Sequence, residues 1–197
     1  MGKKLLLLII VLISIIDIDA KDIDGIIVFK NDSIAHVTFS IPIYPLYGLW
    51  FEQIQRRIKY CNSGTGITKL EPGQAKEIRF TYKDEDIRMI SCSDRIFLKL
   101  IIDGRLKLFY AYDRGHGRDE GNLSHYLLQK GDGELFFPPE TMKEFENKMK
   151  DYLSDCPEVV KKTELPAYGH GVWGTYGGGI GYSLVDIVKE YNICHFQ

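Results

Sequence analysis

The sequence has no excess of either charge: 25 Lys and Arg stand against 27 Asp and Glu, a formal net charge of −2 over 197 residues. Such a chain has no electrostatic grip on nucleic acid or on an anionic membrane surface, so nucleic acid is not an expected partner. It contains no HExxH, HxH or GxSxG, the common signatures of zinc peptidases and serine hydrolases. It contains no CxxC, so a zinc knuckle is not indicated. Beyond residue 20 no apolar run is long enough to span a bilayer, and no repeat recurs at a fixed period. What is present is 45% apolar and 12% aromatic, the composition of a folded globular chain.

The N-terminus carries an address. Lys3 and Lys4 precede the twelve-residue run LLLLIIVLISII, and Asp17, Asp19 and the small Ala20 follow it. This is the layout of a secretory signal peptide, and the run is too short for a comfortable membrane span. Residues 1–20 are therefore expected to be a signal peptide and 21–197 a single domain, with no transmembrane segment after cleavage. The expected location is exported: periplasmic, cell-surface or secreted. Export changes the meaning of the four cysteines, Cys61, Cys92, Cys156 and Cys194. In an oxidising compartment an even count favours disulfides over ligation or catalysis. Three connectivities are open. Cys156–Cys194 and Cys61–Cys92 are favoured, because each pair lies within one architectural block.

The first two-thirds, 24–137, read as strands. GIIVFK is followed by Asn31-Asp32 and then by SIAHVTFSI, in which Ala35, Val37, Phe39 and Ile41 share one face. A period of two is that of a half-buried strand, and Asn-Asp is good turn chemistry. Ile78, Phe80 and Tyr82 alternate with Arg79 and Thr81, and the polar KDED leads into IRMISC. Residues 96–102 and 105–112 flank Asp103-Gly104, the clearest hairpin in the chain. Residues 124–130 and 133–137 form another across Gly131-Asp132.

The last third changes period. Met142, Phe145, Met149 and Tyr152 form one helical stripe, opened by a Thr141/Glu144 capping box. Pro157 suits the first turn of a second, short helix. A third starts near Ser183, with Leu184, Val185, Ile187, Val188 and Tyr191 on its buried side. Strands first and helices later predict an α+β fold. Its expected form is an antiparallel sheet of about seven to eight strands, open or partly closed as a roll, followed by two or three C-terminal helices in 140–193.

Two segments break these patterns. Residues 41–51, IPIYPLYGLWF, are apolar and aromatic but carry Pro42 and Pro45, which suits a packed loop or an exposed platform better than a strand interior. Residues 168–182, YGHGVWGTYGGGIGY, hold seven glycines and four Tyr or Trp, the make-up of an irregular loop. Their GHGVWG matches GxGxxG, but no strand precedes it and more glycine follows, so a dinucleotide site is not expected.

Candidate chemistry is sparse. The loop RGHGRDEG, 114–121, places His116, Asp119 and Glu120 together, weak candidates for a metal site or an acid/base pair. A connector rich in glycine and charge has the same look without any function. His36, His125, His170 and His195 are scattered. The aromatic enrichment is harder to dismiss. Tyr47, Trp50, Tyr168, Trp173 and Tyr176 fall in the two irregular segments, where aromatics stack on sugars or anchor interfaces.

With these blocks in place, the chain resembles a loose group of uncharacterised secreted proteins of Bacteroidetes bacteria. The resemblance lies in GIIVFKNDSI, PGQAKEIRFTY, FLKLIIDGRLKLFY, EFENKMKDYLSDCPEVV and DIVKEYN, and so covers most of the domain. It implies export and an α+β fold and brings no activity, substrate or catalytic residue. Asp32-Ser33-Ile34 is also similar to the Asp-Ser/Thr-aliphatic pattern at which such bacteria attach O-glycans, which would make Ser33 a modification site. The leading expectation is a non-enzymatic module of the cell envelope that binds a glycan or an envelope protein and needs no cofactor or metal. The alternatives are a metal-assisted hydrolase using the 114–121 loop and a purely structural envelope protein.

Overall fold

Alternating side chains give the N-terminal strands one dry face, and the chain pairs accordingly. The computed structural model describes residues 20–44, 48–62, 66–114, 122–138, 142–163 and 179–194. Strands β1 (Ala20–Phe29) and β2 (Ile34–Tyr44) form a hairpin. They lead to β3 (Gly48–Leu49), helix α1 (Phe51–Arg56), β4 (Ile58–Cys61) and β5 (Thr68–Leu70). A short 3-10 turn, Pro72–Gln74, opens a meander of β6 (Ala75–Tyr82), β7 (Glu85–Cys92), β8 (Ile96–Ile102), β9 (Leu106–Arg114), β10 (Asn122–Lys130) and β11 (Leu135–Phe136). Helices α2 (Met142–Tyr152), α3 (Pro157–Thr163) and α4 (Gly179–Ile193) follow.

Among the described residues, 11 strands make one sheet in the order β11-β10-β9-β8-β7-β6-β1-β2-β4-β5, with β3 paired to β2. Every pairing is antiparallel. The fold is thus mostly antiparallel sheet with helices, broadly α+β. Three finer expectations are corrected. There are more than seven or eight strands, because β3, β4 and β5 are too short to alternate visibly. The sheet is open, with β11 and β5 at its ends, not a partly closed roll. And α1 lies between β3 and β4, so the helices are not all C-terminal.

The inner face of the sheet carries Ile23, Ile27, Val37, Phe39, Ile41, Ile78, Phe80, Ile87 and Met89, all buried. Gly25 sits among them. A Cβ there would lie 2.3 Å from the Arg79 carbonyl oxygen and 2.5 Å from the Phe39 ring. The missing side chain lets Phe39 lie across β1, edge-on to Phe80 at 5.8 Å. Residues 41–44 are strand, not loop. Pro42 lies past the last β2–β4 pair, Ser40 with Lys59, at a strand end where its missing N–H costs no ladder bond to β4.

Helix α1 packs on β8 and β9. Phe51 stacks on Tyr112 at 4.5 Å, and the Tyr112 N–H donates to Oε1 of the buried Gln55 at 2.6 Å. Helices α2 to α4 cover the other end. Phe145, Met149, Leu153, Leu184, Ile187 and Val188 pack on Leu106, Leu108 and Leu128. The Asn192 side chain accepts from the Leu106 N–H at 2.9 Å and donates to the Leu106 carbonyl at 3.0 Å, acting as a short strand partner. Gly104 (φ +155°) makes room for it, since a Cβ there would meet the Asn192 amide at 2.5 Å.

The Cys156–Cys194 disulfide ties the start of α3 to the end of α4 across 38 positions, with Cα atoms 6.3 Å apart. The Cys61–Cys92 pairing is corrected: the two are not joined. Cys61 is on β4 and Cys92 on β7, and β2, β1 and β6 lie between. At about 4.8 Å per strand their backbones sit far beyond bridging distance. Cys92 is buried, which pushes its thiol up to about 11.

Candidate functional site

The outer face of the same sheet is built differently. Most positions that alternate with the core residues of β1, β2, β6 and β7 are polar, and together with Ile26 they wall a groove of about 870 Å³. Cross-strand partners supply its lining. Asp24 stands opposite Thr38, whose hydroxyl donates to Asp24 Oδ1 at 2.9 Å. Thr81 stands opposite Asp86 and donates to its Oδ1 at 2.7 Å. His36, exposed, and the edge residues Cys61 and Asn62 complete one side.

Arg79 and Arg88 face each other directly across β6 and β7. Two like charges in opposition are unfavourable in a sheet. Glu77, only 8% exposed, resolves the conflict. Arg79 grips it with two bonds, Nε to Oε1 at 2.6 Å and Nη2 to Oε2 at 2.9 Å. Arg88 Nε donates to the same Oε1 at 2.7 Å, and its Nη1 reaches Asp103 Oδ2 at 2.9 Å. Burial alone would raise the Glu77 pKa, but the hydrogen bonds and charges of the two arginines outweigh it and hold the carboxyl below its ordinary value. Asp103 is lowered chiefly by its hydrogen bond from Arg88. The two arginines are thereby fixed, partly exposed, in the groove lining.

A second, smaller groove of about 350 Å³ lies where α1 meets β2, β4 and β5. It holds the half-buried Trp50 beside Gln53, Arg57, Lys59 and Lys69. Of the aromatics singled out in the sequence, Trp50 is therefore placed at a groove. Tyr47, Tyr168, Trp173 and Tyr176 lie outside the described residues, as do His116, Asp119 and Glu120. Among the described residues no group of three or more His, Cys, Asp or Glu is arranged to hold a metal. Ser33 is exposed in the β1–β2 turn, and its N–H and hydroxyl both donate to Asn31 Oδ1, at 3.1 and 2.6 Å, an Asx turn.

The wall of the larger groove was visible in the sequence only as the polar half of an alternating pattern. Arg79 and Thr81 were noted there as spacers between core residues. Asp24, Asp86, Arg88 and Glu77 gave no signal, because which strands neighbour one another decides that they meet. Comparison with family models, with curated proteins and with solved structures finds no match. No helix among the described residues is long and apolar enough to cross a membrane.

Proposed function

We propose that this chain is an exported, non-enzymatic binding module of the cell envelope, and that it holds a glycan on the outer face of its sheet. The observation that carries the reading is the groove lined by Asp24, Thr38, Arg79, Thr81, Asp86 and Arg88. Sugar hydroxyls both donate and accept, and this wall offers carboxylate acceptors and guanidinium and hydroxyl donors side by side. Each is mounted on a paired strand and held by a neighbour, so little side-chain freedom is lost on binding. The Cys156–Cys194 disulfide supports export, since such bonds persist in oxidising compartments.

The test uses the folded domain against neutral cello-, malto-, xylo- and chito-oligosaccharides, read by thermal shift and calorimetry. At least one series raises the melting temperature, and the Asp24→Ala/Asp86→Ala double variant loses that shift while melting within a few degrees of the parent. A panel without a shift, or a shift the double variant retains, removes the groove as a glycan site.

A further inference from the structure

The two grooves adjoin: the small one takes Ser40, Lys59 and Lys69 from the outer face, and its other wall is α1, whose Ile54 belongs to the inner-face core. Asp24, Thr38 and Cys61 form one cross-strand row, and Asp22, Ser40, Lys59 and Lys69 form the next. Successive rows on a face are two residues apart, about 7 Å along the strands. The larger groove includes Thr38 and Cys61, and the smaller one includes Ser40, Lys59 and Lys69. The small groove begins one row beyond the large one.

Their charges differ. The large groove balances Arg79 and Arg88 with Glu77, Asp24 and Asp86. The small groove is lined by Arg57, Lys59 and Lys69 and by no carboxylate. Of the described lysines elsewhere, several take acidic partners, Lys30 with Asp94, Lys76 with Asp32, Lys99 with Glu85 and Lys130 with Asp155, while others, such as Lys148 and Lys161, do not; what sets the small groove apart is that its three cations share one lining. Among the described residues Arg57, Lys59 and Lys69 make no ion pair. Asp22 is exposed at the far end of the Lys59 row, two strands away from it. Three cations without an acidic partner in one groove with Trp50, in a chain whose net charge is −2, are a local arrangement and not a global surplus.

We infer that the small groove is the acid-reading end of the glycan site: Arg57, Lys59 and Lys69 take a sugar carboxylate or sulfate, Trp50 stacks on that sugar, and the neutral remainder of the chain runs into the larger groove. The ligand is thus an acidic polysaccharide. The inference rests on the glycan reading above and adds the class of sugar. A groove lined by three cations and an indole, with no carboxylate, suits an acidic pyranose, whose charged group and apolar ring face bind at once.

Oligogalacturonides and their fully methyl-esterified forms share one backbone and differ in charge, so they serve as the probe pair at low salt. The acidic form binds about tenfold or more tighter than the ester. The Lys59→Ala/Lys69→Ala variant loses that preference and its salt dependence, keeps its melting temperature, and keeps any neutral sugar bound by the larger groove. A Lys148→Ala/Lys161→Ala variant, which removes two exposed cations elsewhere, leaves the preference intact. Equal affinity for acid and ester, abolished by Asp24→Ala/Asp86→Ala, would overturn the acidic assignment and leave the glycan reading standing. Loss of the preference in both lysine variants alike would also overturn it, because diffuse charge would then suffice. Equally tight, Lys59- and Lys69-dependent binding of a thymidine oligonucleotide would overturn it too, as a site for any polyanion. No binding of either form, together with an inert neutral panel, would remove both readings.

Discussion

The sheet is one continuous ladder, yet its two ends are held by different physics. Strands β1, β2 and β6 and the first half of β7 carry the core on one face and display hydrogen-bonded polar groups on the other. From the end of β7 through β10, core residues lie on both faces. Leu106, Leu108 and Leu128 lie under the C-terminal helices, while Leu98, Phe109 and Leu127 are buried on the opposite side. The helical end is also fastened by a disulfide and by the Asn192 bridge. The difference separates duties: apolar burial on two faces anchors one half, and that leaves the other half free to display ligand chemistry on rigid strands.

Breaking the anchor is the largest perturbation of that contrast. The disulfide closes a loop of 38 positions, worth about 4 kcal/mol in the chain-entropy model. Cys156→Ser/Cys194→Ser, or reduction, lowers denaturant stability by about that much. At temperatures where this variant stays folded, sugar binding by the groove half is unchanged; a parallel loss of binding would show that the halves are coupled. Gly25→Ala strikes the other half. Its methyl group would fall on the Arg79 carbonyl and the Phe39 ring, forcing β1 from β6 at a cost of about 3 kcal/mol. It reduces stability and groove binding together, measured by denaturation and calorimetry on one sample, whereas the disulfide variant reduces stability alone.

The same contrast explains what could be read from the sequence. Where burial is one-sided, as in AHVTFSI, the alternation is clean and β2 and β6 are legible with their facing, while GIIVFK marks β1 without its facing. Where burial is two-sided, as in IFLKLII and LKLFYAY, apolar runs mark strands without telling the faces apart. Asp103-Gly104, Gly131-Asp132 and the left-handed Lys83 and Asp84 mark hairpins by local chemistry. Helices α2 and α3 begin where Met142 and Pro157 were expected to begin them, while α4 starts at Gly179, ahead of Ser183. Strand order was not legible, because β1 and β6 meet across 45 intervening residues and no local pattern encodes that meeting. It was this unread pairing that brought Asp24, Arg79 and Asp86 to one groove and put Cys61 out of reach of Cys92. Cys156 and Cys194, in contrast, stand immediately before α3 and after α4, helices adjacent in sequence, and their pairing was readable.

The smallest effect sharpens the comparison most, since each half holds a carboxylate of its own, Glu77 in the groove and Asp155 at the helical end. Glu77 has a folded-state pKa below its unfolded value, as do Asp103 and, at the helical end, Asp155. A lowered pKa means stability that is fully present above the unfolded value, near 4.3 for a glutamate, and that is lost as the pH falls through the folded value. Acid therefore removes part of the chain's stability below about pH 4. Glu77→Gln removes its share at neutral pH instead, about 1–2 kcal/mol given the partial exposure of both arginines, and flattens the remaining acid dependence. It also leaves Arg79 and Arg88 opposed with no acid between them, so the guanidiniums separate and the groove wall loses its fixed donors. Melting temperature against pH for parent and variant, with sugar binding at pH 7, checks both consequences. An acid profile that stays as steep in Glu77→Gln as in the parent would assign the pH dependence to Asp155 and the helical end, where Lys130 and Tyr191 hold that carboxylate.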